Sequence, residues 1–450
     1  MRGLPLRWRP SPRSEACPEL PSSGVVDHLW RPRRCSGQDV PVPKTITIQQ
    51  LQSILSRLPD NPRIVVSGNV ATPMEIIEIV DQTLERVTLN LLNAIAPLPQ
   101  RDGVTLETIF VGPGMRGAPN LRYVPCRLSM QPVLLRHAMR PDAVILHTSP
   151  PRDGAVSLGI EVNVLPAAID AARSHGGIVV AVVNPHMPRT LGDALVDLSD
   201  IDYLIEVEER IMAIAPTAPD DTSLRIGELV GAHVHNGATM QLGIGAVPDA
   251  VLNSVTSFRD LRIWSETISD GVLELERTGA LDPDVPVRTS FMIGSDDLYA
   301  WADGNPRISM LRTERCNDPA LIAKNHAMMS VNGALQVDLY GQANASRVKG
   351  AIYSGFGGST DFIIGSLHAS GGKSFIALPS WHPKANRSSI VGMLDGPATS
   401  FQQSGIVTEQ GVAWLIGASE REQAEHLINR AAHPSARDGL RQAAAALELT

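Results

Sequence analysis

From residue 44 onward, short apolar runs alternate with stretches in which apolar positions recur every three or four residues. Arg63-Ile-Val-Val-Ser-Gly68 is the first such run, closed by a glycine. A helical pattern follows at Thr72–Val80, with Pro73 in the opening turn where a missing N–H costs nothing. Further runs at Val87–Leu92, Thr108–Gly112, Asp142–His147 and Ile178–Val183 are almost continuously apolar. Strands covered on both faces require that composition, whereas half-exposed strands alternate. Helical patterns such as Pro166–Arg173 separate several of them. Strands alternating with helices predict an α/β fold with mainly parallel sheets.

A second series begins near residue 222. It holds a helix at Leu224–Val230, a strand running into glycine at Thr239–Gly243, and a helix at Val247–Leu252. Strands are expected at Leu261–Trp264, Val287–Ile293, Leu335–Leu339 and Phe375–Leu378, and two amphipathic helices, Ser419–Ala432 and Ala436–Leu447, close the chain. The polar stretch Thr217–Thr222 reads as a linker, so the pattern divides into two α/β domains of similar size, 44–216 and 217–450. Residues 1–43 are rich in Arg and Pro and lack apolar periodicity. They read as a disordered extension or an over-long start, outside the fold. A transit peptide is disfavoured by Glu15, Glu19, Asp27 and Asp39.

Composition narrows the function classes. Only 4% of residues are aromatic, so the cores must be built from Val, Ile, Leu and Ala. A net charge of -8 argues against nucleic acid or an acidic membrane as the main partner. The four cysteines are far apart with no C-x-x-C, which removes zinc ribbons and thioredoxin motifs and suits a reducing compartment. No apolar run approaches the roughly 18–20 residues of a membrane span. A soluble cytoplasmic enzyme is expected, with no metal site.

Three segments carry candidate chemistry. Gly243-Ile-Gly-Ala-Val-Pro248 follows a strand and opens a helix, so it is either an ordinary tight turn or a place where backbone N–H groups approach an anion. Pro248 stands where a dinucleotide fingerprint needs its third glycine, which disfavours a nicotinamide enzyme. Ser354-Gly-Phe-Gly-Gly-Ser-Thr-Asp361 is either a flexible connector or a loop whose backbone must come close to something. Glu266 follows the run Leu261–Trp264, at the strand end where α/β folds bind ligands. A carboxylate there can serve as base or nucleophile, yet residue chemistry alone leaves it a solvated surface group. Ser370-Gly-Gly-Lys373 matches S-x-x-K formally, but its glycines suit a loop lysine facing an anion better than a serine nucleophile. His233 and His235 have no third metal ligand nearby, and Cys316 reads as a buried structural thiol.

In this order the segments resemble the acetyl-CoA hydrolase/CoA-transferase family, which includes 4-hydroxybutyrate and succinyl-CoA:acetate CoA-transferases. The resemblance runs from about residue 63 to the C-terminus. It is carried by Gly243–Val251, Ser265–Gly271, Val337–Gln342, Gly355–Phe362, Gly371–Ser374 and Val407–Val412, with Ser149–Gly154, Ser157–Gly159 and Asn184–Thr190 in the first half. It implies two CoA-transferase-like α/β domains, a homodimer, and no tightly bound cofactor, with coenzyme A entering as acyl-CoA substrate beside a small carboxylic acid. It makes Glu266 the nucleophile of a glutamyl-CoA thioester intermediate. Asn317, Gly357 and Gly358 would supply the oxyanion donors. CoA contacts would fall on Gly243, Ile244, Gly245, Ala246, Val247, Gly341 and Lys373. The family's His-Thr-Glu is Trp264-Ser-Glu266 here, its Thr-Glu-Tyr-Gly is Thr408-Glu-Gln-Gly411, and its Ser-Arg-Ile-Val is Ser388-Ser-Ile-Val391. These departures keep the substrates of other members from being carried over. An acyl-CoA hydrolase using the same glutamate, and a non-catalytic acyl-CoA-binding protein, are the competing expectations.

Overall fold

A computed structural model describes residues 42–396, 398 and 402–450. The N-terminal extension therefore lies, up to residue 41, outside the described residues. The main body holds two eight-stranded sheets.

The first sheet comprises β1 (Lys44–Thr45), β2 (Arg63–Val66), β3 (Val87–Asn90), β4 (Val104–Thr108), β5 (Leu121–Tyr123), β6 (Ala143–Thr148), β7 (Ile178–Val183) and β8 (Tyr203–Glu206). Their spatial order is β1-β8-β7-β6-β2-β3-β4-β5, with every neighbouring pair parallel. All six residues of β6 are buried, its apolar Ala143–Leu146 followed by buried His147 and Thr148.

The second sheet comprises β9 (Thr239–Leu242), β10 (Arg262–Ile268), β11 (Val287–Met292), β12 (Ile308–Met310), β13 (Met328–Gly333), β14 (Lys373–Ala377), β15 (Gly405–Thr408) and β16 (Gly411–Trp414). Its order is β12-β11-β10-β9-β13-β14-β15-β16, parallel except for the closing β15–β16 hairpin. In both sheets four strands wind outward one way and later strands wind the other. The direction reverses between β2 and β6 in the first sheet and between β9 and β13 in the second. Ligands bind outside the carboxyl ends of strands at such reversals.

One buried cluster includes Val144, Leu146 and Val179 of the first sheet and Met240, Leu242 and Val331 of the second. Separate clusters cover the first sheet (Ile64, Val66, Leu89) and the second (Ile376, Ile406, Ala413). This accounts for the low aromatic content: the filling is almost entirely aliphatic.

Three expected strands differ from those found. Thr108–Gly112 meets the first sheet only at Thr108, the last residue of β4, and Phe110 makes only an isolated bridge to Gly355. Leu335–Leu339 does not enter the main sheet; Gln336–Asp338 pairs in a separate three-stranded sheet with Ala343–Asn344 and Ile390–Val391. The strand in the main sheet is β13, less conspicuous in sequence because it ends on Asn332-Gly333. The run Leu261–Trp264 continues through Ile268, so Glu266 lies within β10 rather than beyond it. Polar Ser265, Glu266 and Thr267 hid that continuation from an apolar pattern.

Candidate active site

β10 pairs with β9 only at Arg262 and Ile263. Beyond that point the Ser265 hydroxyl donates to the Leu242 carbonyl at 2.8 Å, so a side chain takes over where the backbone ladder stops. On its other edge β10 stays paired with β11 as far as Ile268 and Met292. Glu266 is thus held by a regular strand on one side and faces an opening on the other. It lines a cavity of about 260 Å³ together with Gln241 in β9, Gly243 and Ile244 after it, and Asn332 and Gly333 at the end of β13. The opposite wall comes from the first half: Asn69 follows β2, Asn93 follows β3, and Phe110 follows β4. The carboxyl ends of both sheets therefore bound one chamber.

Asn317 ends the short helix Thr313–Cys316. Its amide Nδ2 donates to Glu266 Oε2 at 2.8 Å. The turn is tied to β10 from both sides: the Trp264 indole donates to the Cys316 carbonyl at 2.9 Å, and the Cys316 thiol lies 3.5 Å from the Ser265 carbonyl. Trp264 and Ser265, the two departures beside Glu266, both brace Glu266 and the Asn317 turn. Cys316 is buried, and burial raises its thiol well above the usual range, consistent with a structural role.

The glycine loop comes as close as backbone can. A Cβ on Gly358 would sit 1.9 Å from Glu266 Oε2 and 2.2 Å from Asn317 Nδ2. Gly357 has φ +57°, a left-handed conformation that glycine adopts without strain. Among the described residues neither glycine N–H has a protein partner. The loop is pinned to the first half of the chain by Val111 N to Ser354 O at 2.9 Å and Leu128 N to Gly357 O at 3.0 Å. Just beyond it, Asp361 accepts from the Ser129 hydroxyl at 2.8 Å.

Burial raises the Glu266 carboxyl to about 7; the Asn317 amide opposes the rise and the Asp361 charge adds to it. A second buried carboxyl, Glu161, also rises to about 7 through burial, against the hydrogen bonds from Asn163 and Asn69, with Glu266 adding to the rise. Glu161 is brought there by an isolated bridge to Phe291 of β11. It sits two residues beyond the Ser157–Gly159 motif and carries no spacing signal of its own, so the sequence did not point to it.

Of the residues expected to bind CoA, Gly243 and Ile244 line the cavity. Gly245 (φ +113°) caps the following helix, Ala246–Ser254, whose first residues Ala246 and Val247 sit at its exposed to half-buried entrance. Gly341 and Lys373 are not brought to this cavity. Gly341 lies in a larger hollow of about 770 Å³ with Tyr340, Gln403 and Leu415, which shares no lining residue with the Glu266 chamber. Lys373 opens β14 at the amino end of the sheet, with its ammonium 3.4 Å from the His233 carbonyl. Among the described residues, no group of three or more His, Cys, Asp or Glu side chains is arranged to hold a metal, and no helix is long and apolar enough to cross a membrane.

A carboxylate at the carboxyl edge of a parallel sheet, with an amide and a glycine loop on one oxygen, defines a doubly wound α/β enzyme equipped for acyl chemistry. The chain belongs to the acetyl-CoA hydrolase/transferase family: the N-terminal domain of that family matches residues 48–216 and the C-terminal domain matches residues 294–444. It is 33% identical over 412 residues to a 4-hydroxybutyrate coenzyme A transferase of Clostridium kluyveri, covering 86% of this chain and 95% of that protein. It is 32% identical over 413 residues to a succinyl-CoA:acetate/propanoyl-CoA:succinate CoA transferase of Fasciola hepatica, covering 86% and 85%. Among solved structures, RipA from Yersinia pestis superposes with a TM-score of 0.81 at 26% identity, covering 90% of this chain and all of that one.

Proposed function

We propose that the protein moves CoA between an acyl-CoA and a small carboxylic acid, with Glu266 as the covalent carrier. The Glu266 carboxylate attacks the thioester carbonyl; the C–S bond breaks, leaving an acyl–glutamyl anhydride and CoA thiolate. The thiolate attacks the glutamyl carbonyl, forming a glutamyl-CoA thioester and releasing the first acid as its carboxylate. An acceptor carboxylate then runs both steps backwards. Each tetrahedral intermediate carries an oxyanion, for which Asn317 Nδ2 and the N–H groups of Gly357 and Gly358 are the donors at hand. Gly243 to Val247 would receive part of CoA at the exposed start of their helix.

The observation that carries this reading is the approach of Gly358 and Asn317 to a single oxygen of Glu266. Burying a carboxylate beside an amide and a glycine backbone rather than a cation costs stability, and a reactive role accounts for keeping it there. Transfer rather than hydrolysis is supported by Phe110, Phe291, Phe356 and Phe362 on the chamber wall, which would pack on a bound acyl group and exclude water once it fills the space. The names of the similar transferases support it too. As in the sequence reading, we take the protein to be a cytoplasmic homodimer with domains at 44–216 and 217–450.

The decisive test is incubation with acyl-CoAs followed by peptide mass spectrometry. A borohydride-sensitive, CoA-sized adduct on the Glu266 peptide is expected. No adduct with any acyl-CoA, together with undiminished activity in Glu266→Ala, would sink the mechanism. CoA release that ignores acetate, propionate, butyrate and succinate alike would identify a hydrolase instead.

A further inference from the structure

The wall facing Glu266 has an unusual construction. Glu161 is 2% exposed, and both of its oxygens are engaged. Oε2 accepts from Asn69 Nδ2 at 2.5 Å and Oε1 from Asn163 Nδ2 at 3.1 Å. With its nitrogen turned to the carboxylate, Asn69 presents Oδ1 on the other side, where it accepts from Asn93 Nδ2 at 2.7 Å. Asn163 Oδ1 faces the hydroxyls of Ser290 at 3.4 Å and Thr313 at 3.5 Å. Asn93, half-buried and lining the cavity, keeps its Oδ1 and the second N–H of its Nδ2 for a ligand. All three asparagines have left-handed backbones, with φ +50° at Asn69, +46° at Asn93 and +40° at Asn163. Asparagine adopts this backbone readily because its short side chain bonds locally, and here three such residues surround a single buried carboxyl.

The polarity of this relay has a chemical consequence. An ionised carboxyl only accepts hydrogen bonds, so above about pH 7, where Glu161 is ionised, it dictates which end of each carboxamide faces inward. The wall consequently shows the chamber the Asn93 Oδ1 acceptor beside that amide's remaining N–H, with a carboxylate behind it. No Lys, Arg or His lines the chamber among the described residues. A substrate carrying a second carboxylate would face the buried charge of Glu161 with no cation to offset it. A hydroxyl would find a partner in Asn93 Oδ1, and a plain alkyl chain would pack on Leu92, Phe110 and Leu128. A purely structural role explains the construction poorly, because an apolar residue would fill Glu161's place at lower desolvation cost.

Resting on the transferase reading above, we infer that Glu161, acting through Asn69 and Asn93, makes this chamber select short neutral acyl groups, favour those bearing a hydroxyl, and reject those bearing a second carboxylate. Glu161 is a positioning residue: it touches no substrate but sets the orientation of the amide that does. When Glu266 is taken up as anhydride or thioester its own charge is gone, and Glu161 maintains the discrimination through the covalent stages.

The test is steady-state CoA transfer to acetate from butyryl-CoA, 4-hydroxybutyryl-CoA and succinyl-CoA, in the native protein, Glu161→Gln and Asn93→Leu. The native protein is expected to use succinyl-CoA at least tenfold less efficiently, by kcat/KM, than butyryl-CoA. In Glu161→Gln the introduced amide can turn Asn69 and Asn93 around and remove the charge, and the succinyl-to-butyryl ratio should rise about tenfold. In Asn93→Leu the hydroxybutyryl-to-butyryl ratio should fall at least threefold. A purely structural Glu161 would lower all three rates together and leave the ratios alone, which would overturn the inference. Native use of succinyl-CoA equal to butyryl-CoA would overturn it as well, while leaving the transferase reading intact. No transfer from any donor would overturn both.

Discussion

Replacing Gly358 with alanine isolates the geometry on which the candidate site depends. The backbone at Gly358 has φ -98° and ψ 0°, which alanine adopts readily, so the substitution adds no left-handed strain. Its whole cost arises where the methyl points, 1.9 Å from Glu266 Oε2 and 2.2 Å from Asn317 Nδ2. Restoring an ordinary contact of about 3.2–3.4 Å requires the carboxylate, the amide or the loop to shift by over 1 Å. The Asn317–Glu266 bond is 2.8 Å long and cannot survive such a shift in its present form. Displacement of a reacting group by about 1 Å costs on the order of 100-fold, and loss of one oxyanion donor about 100- to 1,000-fold. Gly358→Ala should therefore lower kcat/KM for CoA transfer at least 100-fold, about 2.7 kcal/mol of transition-state stabilisation. Thermal unfolding should stay within a few degrees of the native protein, since the strained atoms belong to the site and not to the surrounding core. Gly355→Ala is the contrast: its methyl would lie 2.3 Å from the Ile109 carbonyl, a backbone atom that cannot turn aside, so stability should fall with activity. Activity of Gly358→Ala within threefold of native would refute the placement of this loop against a reacting carboxylate.

Three further outcomes follow from the same site. Burial raises the Glu266 carboxyl to about 7 and the proposed nucleophile is its anion, so kcat/KM should climb about tenfold per pH unit below 7 and level off above it; Asn317→Ala removes the bond that opposes the rise and should move the midpoint upward. A pH–rate profile centred on 4.5 would contradict this. Glu161 binds its proton more tightly folded, at about 7, than its ordinary 4.5, so the stability linked to it is present below 4.5 and lost as pH rises to 7. Urea unfolding of Glu161→Gln should lack that decline and leave the variant more stable at pH 8 by up to about 3 kcal/mol; an unchanged pH slope would show that the carboxyl is not desolvated. Trp264→Phe keeps the ring but loses the indole bond to Cys316, which should cost about 1 kcal/mol of stability and lower kcat several-fold by loosening the Asn317 turn. Native kcat in that variant would separate Trp264 from the positioning of Asn317.

Much of the architecture was legible in one dimension because its cause is local. Parallel strands buried on both faces must be continuously apolar, and β2, β6 and β7 announce themselves in that way. Glycine density at 355–358 signalled a close backbone approach without saying to what. Where a strand had to carry chemistry the signal failed: Ser265-Glu266-Thr267 breaks the apolar run of β10, and β13 ends in polar Asn332-Gly333. The candidate nucleophile was reached through ordered motifs and the family they resemble, since a lone glutamate has no local signature.

The chain order of apolar and polar residues determined an α/β protein in two similar series, with glycine loops after particular strands. Only the tertiary structure decided which carboxylates meet. Glu266 and Asn317 are 51 positions apart, and Glu161 and Asn69 are 92 apart. Sheet winding and bridges between the two halves close those distances. The same closure set Gly341 and Lys373, near the other motifs in sequence, outside the chamber. It also desolvated Glu266, turning what the sequence alone would read as a surface carboxylate into one that titrates near 7. Burial belongs to the assembled fold, and a pattern read along the chain contains none of it.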